Sequence, residues 1–174
     1  SLKRFRELLK NLFQQQGWLN ELASLQQPEV LSALVKMFGD SDFLWEDFLR
    51  LHHAELLPIV GNLQGLRGGT DAALMLSSLD SQLESATVDW RTVLNDFKDR
   101  EMFRIDMRHI LNTEQPFGTF SQELTRLAEI VTQAAIARCW RELVARYGTP
   151  RNEQGEAVKL AVCALGKFGG QELG

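Results

Sequence analysis

Cysteine and histidine are scarce in this sequence. Cys139 and Cys163 are the only cysteines, and three histidines are present. Two isolated cysteines on apolar segments are typical of buried free thiols, and they cannot form the disulfide framework of a small secreted domain. The histidines lack the spacing to cysteine, histidine or acidic residues that zinc sites show. We therefore expect neither a disulfide nor a histidine metal site.

Long apolar runs are also missing. No stretch of about 18 apolar residues exists, so we expect no membrane-spanning helix. No apolar segment follows the basic N-terminal residues, which argues against a secretory signal peptide. The net charge of −4 argues against non-specific binding to nucleic acid, because such binding requires a basic surface. The simplest expectation is a cytoplasmic protein that binds neither membranes nor nucleic acid.

The composition that remains is that of a globular protein. Hydrophobic residues make up 44% of the 174 residues and charged residues 24%, so there is enough apolar material for a core. This length fits one domain, or a domain with part of a neighbour. The sequence does not begin with Met, and we expect both of its ends to be cuts in a longer chain.

Helical periodicity dominates the first 150 residues. Apolar residues recur at steps of three and four, which predicts helices over 2–13, 29–38, 70–83, 89–111 and 119–147. In the last of these, Thr119 and Gln122 have the spacing of a capping box, and Gly148 ends the helix. We interpret the chain as mainly α, with an N-terminal helical segment at 1–60, a glycine-rich loop at 61–69 and a helical region at 70–150.

The character of the sequence changes after residue 150. A polar turn at 151–156 precedes Val158–Leu165, a β-branched apolar run that predicts a buried strand. One strand cannot form a sheet, so we expect its partners to lie beyond Gly174. Residues 151–174 are therefore interpreted as the truncated start of a further domain.

A glycine-rich motif follows the predicted strand. Gly169 and Gly170 are paired between a strand and a predicted helix start, where glycine lets the backbone come close to an anion. Lys167 could add a positive charge. The spacing matches neither a Walker A loop nor a G-x-G-x-x-G dinucleotide loop. From the residues alone, an anion site and a plain strand-to-helix turn are about equally well supported.

Three segments carry a resemblance to a known family. Residues 164–174, ALGKFGGQELG, resemble the signature of glutamine synthetase adenylyltransferases (glutamate–ammonia-ligase adenylyltransferases). Residues 94–105, LNDFKDREMFRI, are similar to an arginine-rich helix of that family, and residues 139–148 resemble the helix that leads into its strand. The resemblance implies a helical bundle that leads into the first strand of a polymerase-β-like nucleotidyltransferase domain.

The resemblance also implies a reaction. Enzymes of this family use ATP and Mg²⁺ to transfer AMP to a tyrosine of glutamine synthetase, and a related domain removes that AMP with phosphate, which regulates nitrogen assimilation. By match of motif, Gly169 and Gly170 would face the triphosphate, with Lys167 as a further nucleotide-binding residue. The family's metal-binding Asp-x-Asp follows this motif and is absent here. No catalytic or metal residue is therefore assigned, and we expect this chain alone to be inactive.

Two alternatives remain open. The helices could instead form a scaffold that docks glutamine synthetase or the PII signalling protein without catalysis. Arg100, Arg104 and Arg108 share one helix face, which could be a solvated face or a contact surface for a phosphate or a catalytic domain. The glycine at Gly174 favours a match to the motif of the family's adenylylating half rather than to that of its adenylyl-removing half.

Overall fold

The computed structural model describes Lys3, Arg6, Lys10 and residues 28–40, 71–111 and 116–173. The longer helices of the described part are α1 (Pro28–Asp40), α2 (Ala72–Ser85), α3 (Trp90–Leu111) and α4 (Phe117–Tyr147), and α5 is a single turn (Gly166–Gly169). The described residues contain no β-strand, and their only β-type pairing is an isolated antiparallel bridge between Arg151 and Ala157. The prediction of a mainly α chain is confirmed.

The helix starts follow local chemistry. Asp71 caps α2, because its side-chain oxygen accepts a hydrogen bond from the Ala73 N–H at 3.0 Å. The capping box expected at Thr119 and Gln122 is wrong, since α4 already begins at Phe117. The Thr119 N–H donates to the Pro116 carbonyl at 3.0 Å, so it needs no side-chain cap. The predicted loop at 61–69 lies outside the described residues.

The chain divides into two compact units. The first comprises residues 1–70 and 97–120, and the second comprises residues 71–96 and 121–174. In the first unit, Lys36 of α1 donates from Nζ to the Ile110 carbonyl at 3.0 Å, which satisfies a carbonyl at the end of α3. The buried apolar side chains described in this unit come from α1 and α3: Leu34, Phe97, Phe103, Ile105 and Met107.

The second unit has its core on α2 and on the adjoining parts of α3 and α4. Met75, Leu79 and Leu83 lie on one face of α2 at four-residue spacing and are buried. The other buried apolar side chains of this unit are Leu94, Leu127 and Ile130. Ser121 and Thr125 are also buried, and the Thr125 hydroxyl donates to the Ser121 carbonyl at 2.8 Å. Burial of each large apolar side chain contributes about 1.5–3 kcal/mol relative to exposure.

Burial stops halfway along α4. No residue from 131 to 173 is buried, although α4 extends for about 46 Å at 1.5 Å per residue. Cys139 and Cys163 were expected in the interior, and both are exposed. Val158–Leu165 was expected to be a buried strand, and it is exposed chain without strand pairing. Within the described residues, the apolar side of this half of α4 is covered only in part, and the segment after it is exposed.

Candidate functional site

The three residues predicted to bind nucleotide lie in one exposed turn. Lys167, Gly169 and Gly170 belong to or directly follow the single-turn helix α5. Gly166, at the start of the turn, has φ +61°, and Gln171, after the paired glycines, has φ +58°. Both values lie in the left-handed region of backbone conformation. Glycine adopts such a φ freely, whereas Gln171 does so at a cost in conformational energy.

The paired glycines have different reasons to be glycine. A Cβ at Gly169 would lie 2.5 Å from the carbonyl oxygen of Ala164, a backbone atom that cannot move aside without changing the turn. A Cβ at Gly170 would lie 3.4 Å from the Gly166 carbonyl oxygen and 3.6 Å from the Glu172 side chain. Gly170 also has an ordinary φ of −84°. The fold of the turn therefore requires glycine at Gly169 but leaves room for a small side chain at Gly170.

Local hydrogen bonds use the backbone N–H groups at the end of the motif. The Gly170 N–H donates to the Gly166 carbonyl at 2.9 Å, and the Glu172 N–H donates to the Lys167 carbonyl at 2.8 Å. The Gly169 N–H makes a longer bond of 3.4 Å to the Leu165 carbonyl. The turn is thus closed by its own backbone, and in this conformation the Gly170 position offers a surface without a side chain.

No cluster of metal-ligating side chains accompanies the turn. Within residues 28–40, 71–111 and 116–173, no group of three or more histidine, cysteine, aspartate or glutamate side chains is placed to hold a metal ion. His109, which was not expected to bind metal, stacks on Phe120 with ring centroids 4.3 Å apart. In the described part of the chain, no helix is long and apolar enough to cross a bilayer.

The arginine face of α3 is not a solvated surface throughout. Arg108 is 2% exposed and Glu101 is 7% exposed, so both are buried in the first unit. Arg104 Nη1 lies 3.7 Å from Glu101 Oε1, while Oε2 of Glu101 is buried without a hydrogen bond. The solvated-face interpretation is wrong for Arg108, because its position on the core side of α3 removes it from solvent. Phe97, Glu101, Ile105 and Arg108 share the spacing of a core stripe, which the sequence already contained as a signal.

An exposed polar cluster joins α3 to α4 in the second unit. The Trp90 indole N–H donates to Glu142 Oε1, and Arg91 Nη2 lies 3.1 Å from Glu142 Oε2. Arg91 also pairs with Asp89 at 3.4 Å and places its guanidinium 4.4 Å from the centre of the Trp90 ring. The Trp90 hydrogen bond and the Arg91 charge hold the pKa of Glu142 below its ordinary value of 4.5. Trp90 is half-buried at this cluster.

The titration of Glu142 should be visible at the Trp90 indole that it binds. Because the folded-state pKa of Glu142 is lowered, its contribution to stability is complete above pH 4.5 and is lost as the pH falls through the lowered value. We expect the Trp90 indole N–H resonance to follow an acid titration with a midpoint below 4.5 in ¹H–¹⁵N spectra. Glu142→Gln should abolish this titration, whereas Glu129→Gln on the same helix should preserve it. A Trp90 midpoint at or above the ordinary glutamate value would contradict the interaction.

Comparison with known proteins identifies relatives of one kind. The sequence model of the glutamate-ammonia ligase adenylyltransferase family matches residues 31–174. The chain is 30% identical over 158 residues to a bifunctional glutamine synthetase adenylyltransferase/adenylyl-removing enzyme of Shewanella frigidimarina, covering 87% of this chain and 15% of the relative. It is 28% identical over 177 residues to the enzyme of the same name from Chromobacterium violaceum, covering 100% of this chain and 18% of the relative.

A third relative gives the same result. The chain is 29% identical over 180 residues to the enzyme of that name from Alteromonas mediterranea, covering 99% of this chain and 18% of the relative. The chain thus spans less than a fifth of the length of these relatives. No solved structure shows significant similarity to it. Because the family match includes α2, α3, α4 and the glycine turn, the chain belongs to the glutamate–ammonia ligase adenylyltransferase family.

Proposed function

We propose that this chain is part of an enzyme that transfers AMP from ATP to a tyrosine of glutamine synthetase. The observation that carries the proposal is the family match, which runs through the helices and through the glycine turn. The curated relatives bear the names of both adenylylating and adenylyl-removing activities. Removal of AMP by phosphorolysis is therefore a second reaction of the same proposed enzyme. Regulation of glutamine synthetase, and through it of nitrogen assimilation, is the proposed role.

The glycine turn is the proposed nucleotide contact. Gly170 has room for a side chain within the turn and yet carries none, which suits close approach of a triphosphate. Gly169 keeps the turn closed beneath it, and Lys167 supplies positive charge toward the phosphates. ATP would be bound with Mg²⁺, whose charge clamps the phosphoryl oxygens during in-line transfer. The Mg²⁺ ligands are proposed to be an Asp-x-Asp sequence that follows Gly174 in the full-length protein.

The exposed segment Val158–Leu165 is the proposed first strand of the catalytic domain. Its apolar, β-branched sequence and its lack of pairing among the described residues both suit a strand whose neighbours come from further along the chain. On this view the helices precede a polymerase-β-like nucleotidyltransferase domain. The 174 residues alone would be inactive, and the full-length protein would act in the cytoplasm on glutamine synthetase, with PII signalling protein as a regulatory partner.

Transfer of radiolabelled AMP tests this function. The full-length protein that contains this chain should label glutamine synthetase when supplied with [α-³²P]ATP and Mg²⁺, and the 174-residue chain should not. A glutamine synthetase variant without the acceptor tyrosine serves as the control for specific labelling. Absence of transfer by the full-length protein would contradict the enzymatic proposal, and robust transfer by the 174 residues would contradict the proposed division of the catalytic site.

The same experiment separates the scaffold alternative. The unburied surface from 131 to 173 is the observation that favours a docking role. A full-length protein that binds glutamine synthetase or PII stably but transfers no AMP would support the scaffold. Binding accompanied by transfer would leave the helices as part of the enzyme.

A further inference from the structure

The second half of α4 carries an apolar face that is only partly buried. Its members recur at steps of three and four residues, and at 3.6 residues per turn they fall within an arc of about 140°. Leu143 is 53% exposed and Tyr147 is 70% exposed. Cys139 is exposed as well, and the other three members are half-buried. The six residues of this face, which we call the α4 apolar face, are Ile136, Cys139, Trp140, Leu143, Val144 and Tyr147.

The opposite side of the same helix segment is already engaged. Glu142 lies outside the arc and holds Trp90 and Arg91 at the start of α3. This anchoring fixes the rotation of α4, so the α4 apolar face is turned away from the α3 contact. A contiguous apolar surface of this kind normally marks an interaction site in a soluble protein.

A second apolar surface follows along the chain in the same unit. Val158, Leu160 and Val162 alternate along the exposed segment and are 44%, 58% and 56% exposed. In an extended chain, alternate residues lie on one side. The hydrogen bonds of a tight turn hold the start of this segment, including the Val158 N–H to the Pro150 carbonyl at 2.9 Å. One end of the unit therefore presents a partly uncovered helix face and an apolar segment without strand pairing.

We propose that the α4 apolar face is the docking surface for the β-sheet that Val158–Leu165 enters, supplied by the chain that follows Gly174. This inference rests on the proposed function, which assigns Val158–Leu165 to that sheet. A sheet would account for both surfaces, because it pairs the backbone of the segment and buries one apolar face against a helix. The curated relatives are several times longer than this chain, which spans only 15–18% of their length. The helix would thereby fix the orientation of the glycine turn that leaves the same sheet.

Thiol accessibility at Cys139 tests this docking, because Cys139 is exposed on the α4 apolar face. Cys163 is no probe of the docking, since in an extended segment it lies on the side opposite Val158, Leu160 and Val162. Cys163→Ser therefore leaves Cys139 as the only probe among these residues. In the 174-residue chain Cys139 should react with Ellman's reagent at the rate of an exposed cysteine. In the full-length protein it should react at least about tenfold more slowly, since modification then requires local opening.

Ala145 provides the matched control on the polar side of α4. It is exposed and lies outside the arc, so Ala145→Cys, with Cys139 and Cys163 both changed to Ser, should react equally fast in both proteins. The full-length protein can contain other cysteines. Mapping the labelled peptides by mass spectrometry separates their labelling from labelling at the probe position. The comparison then reports coverage of one helix side rather than the size of the protein.

The outcomes separate the docking from the proposed function. Amide exchange over residues 159–165 in the same full-length protein reports whether the strand is paired. Slow reaction at Cys139 with protected amides supports the docking. Fast reaction at Cys139 with protected amides overturns the docking and leaves the strand assignment standing, whereas fast reaction with unprotected amides overturns the strand assignment as well. Slow reaction at Cys139 with unprotected amides overturns a sheet as the occupant. Protection of Cys139 in the 174-residue chain that disappears on dilution would instead identify a second copy of the chain.

Discussion

Replacing Gly170 with valine is expected to weaken ATP binding by the full-length protein at least tenfold while leaving the glycine turn closed. The turn tolerates a Cβ at this position, because the nearest atoms would be in ordinary contact at 3.4 and 3.6 Å. If amide exchange at Glu172 shows that the turn stays closed around the two γ-methyl groups as well, the loss of affinity comes from a ligand that needs the space. A tenfold loss corresponds to about 1.4 kcal/mol, which a displaced triphosphate readily exceeds. Isothermal titration calorimetry with ATP and Mg²⁺ gives the affinity.

Gly169→Ala is the informative comparison for this variant. Its Cβ would meet the Ala164 carbonyl oxygen at 2.5 Å, so the turn has to open. Both variants should bind ATP weakly, but only Gly169→Ala should speed amide exchange at Glu172, whose N–H closes the turn on the Lys167 carbonyl. Gly118→Ala has nothing within 4 Å and should change neither property. Unchanged ATP affinity in the Gly170→Val protein would remove the phosphate role from this turn.

The helices of the second half of the chain could be predicted closely from the sequence. The helix predicted over 89–111 is observed as Trp90–Leu111. The agreement is close because apolar periodicity and helix-ending residues act locally. The start of α4 was misplaced, since the Pro116 carbonyl begins the helix before the Thr119 side chain could cap it. The loop expected at 61–69 lies outside the described residues.

The buried side chains were harder to predict than the helical residues. Periodicity identifies the side of α4 that carries Cys139, but whether that side is covered depends on other parts of the protein. Arg108 was considered as part of a solvated face or a contact surface, although its spacing from Phe97 and Ile105 places it on the core stripe of α3. Buried charges of this kind are uncommon, so composition argued against a pattern that the sequence contained.

The candidate site, too, could be predicted only in part from the sequence. The motif brought Lys167, Gly169 and Gly170 together in the sequence, and the structure places them in one turn. Their different roles could not be predicted, because the approach of the Ala164 carbonyl to Gly169 depends on the backbone conformation of the turn. Sequence resemblance identified the family, and the structure separates the glycine required by the turn from the glycine left available to a ligand.

Amide exchange along the exposed segment should be about two orders of magnitude slower in the full-length protein than in the 174-residue chain. Val158 is the last residue of this segment whose N–H is bonded, and no amide from 159 to 165 donates a backbone hydrogen bond within the described part of the chain. These amides should therefore exchange almost as fast as in an unfolded peptide. Pairing as a strand in the full-length protein would protect every amide of an inner strand, or alternate amides of an edge strand.

Hydrogen–deuterium exchange over residues 159–165 therefore tests the central claim most directly. The matched control is α2, where Leu79 is fully buried and amides should exchange at the same slow rate in both proteins. If this chain leads into a nucleotidyltransferase domain, exchange over residues 159–165 should slow at least about hundredfold in the full-length protein. Exchange as fast in the full-length protein as in the 174 residues would contradict that claim.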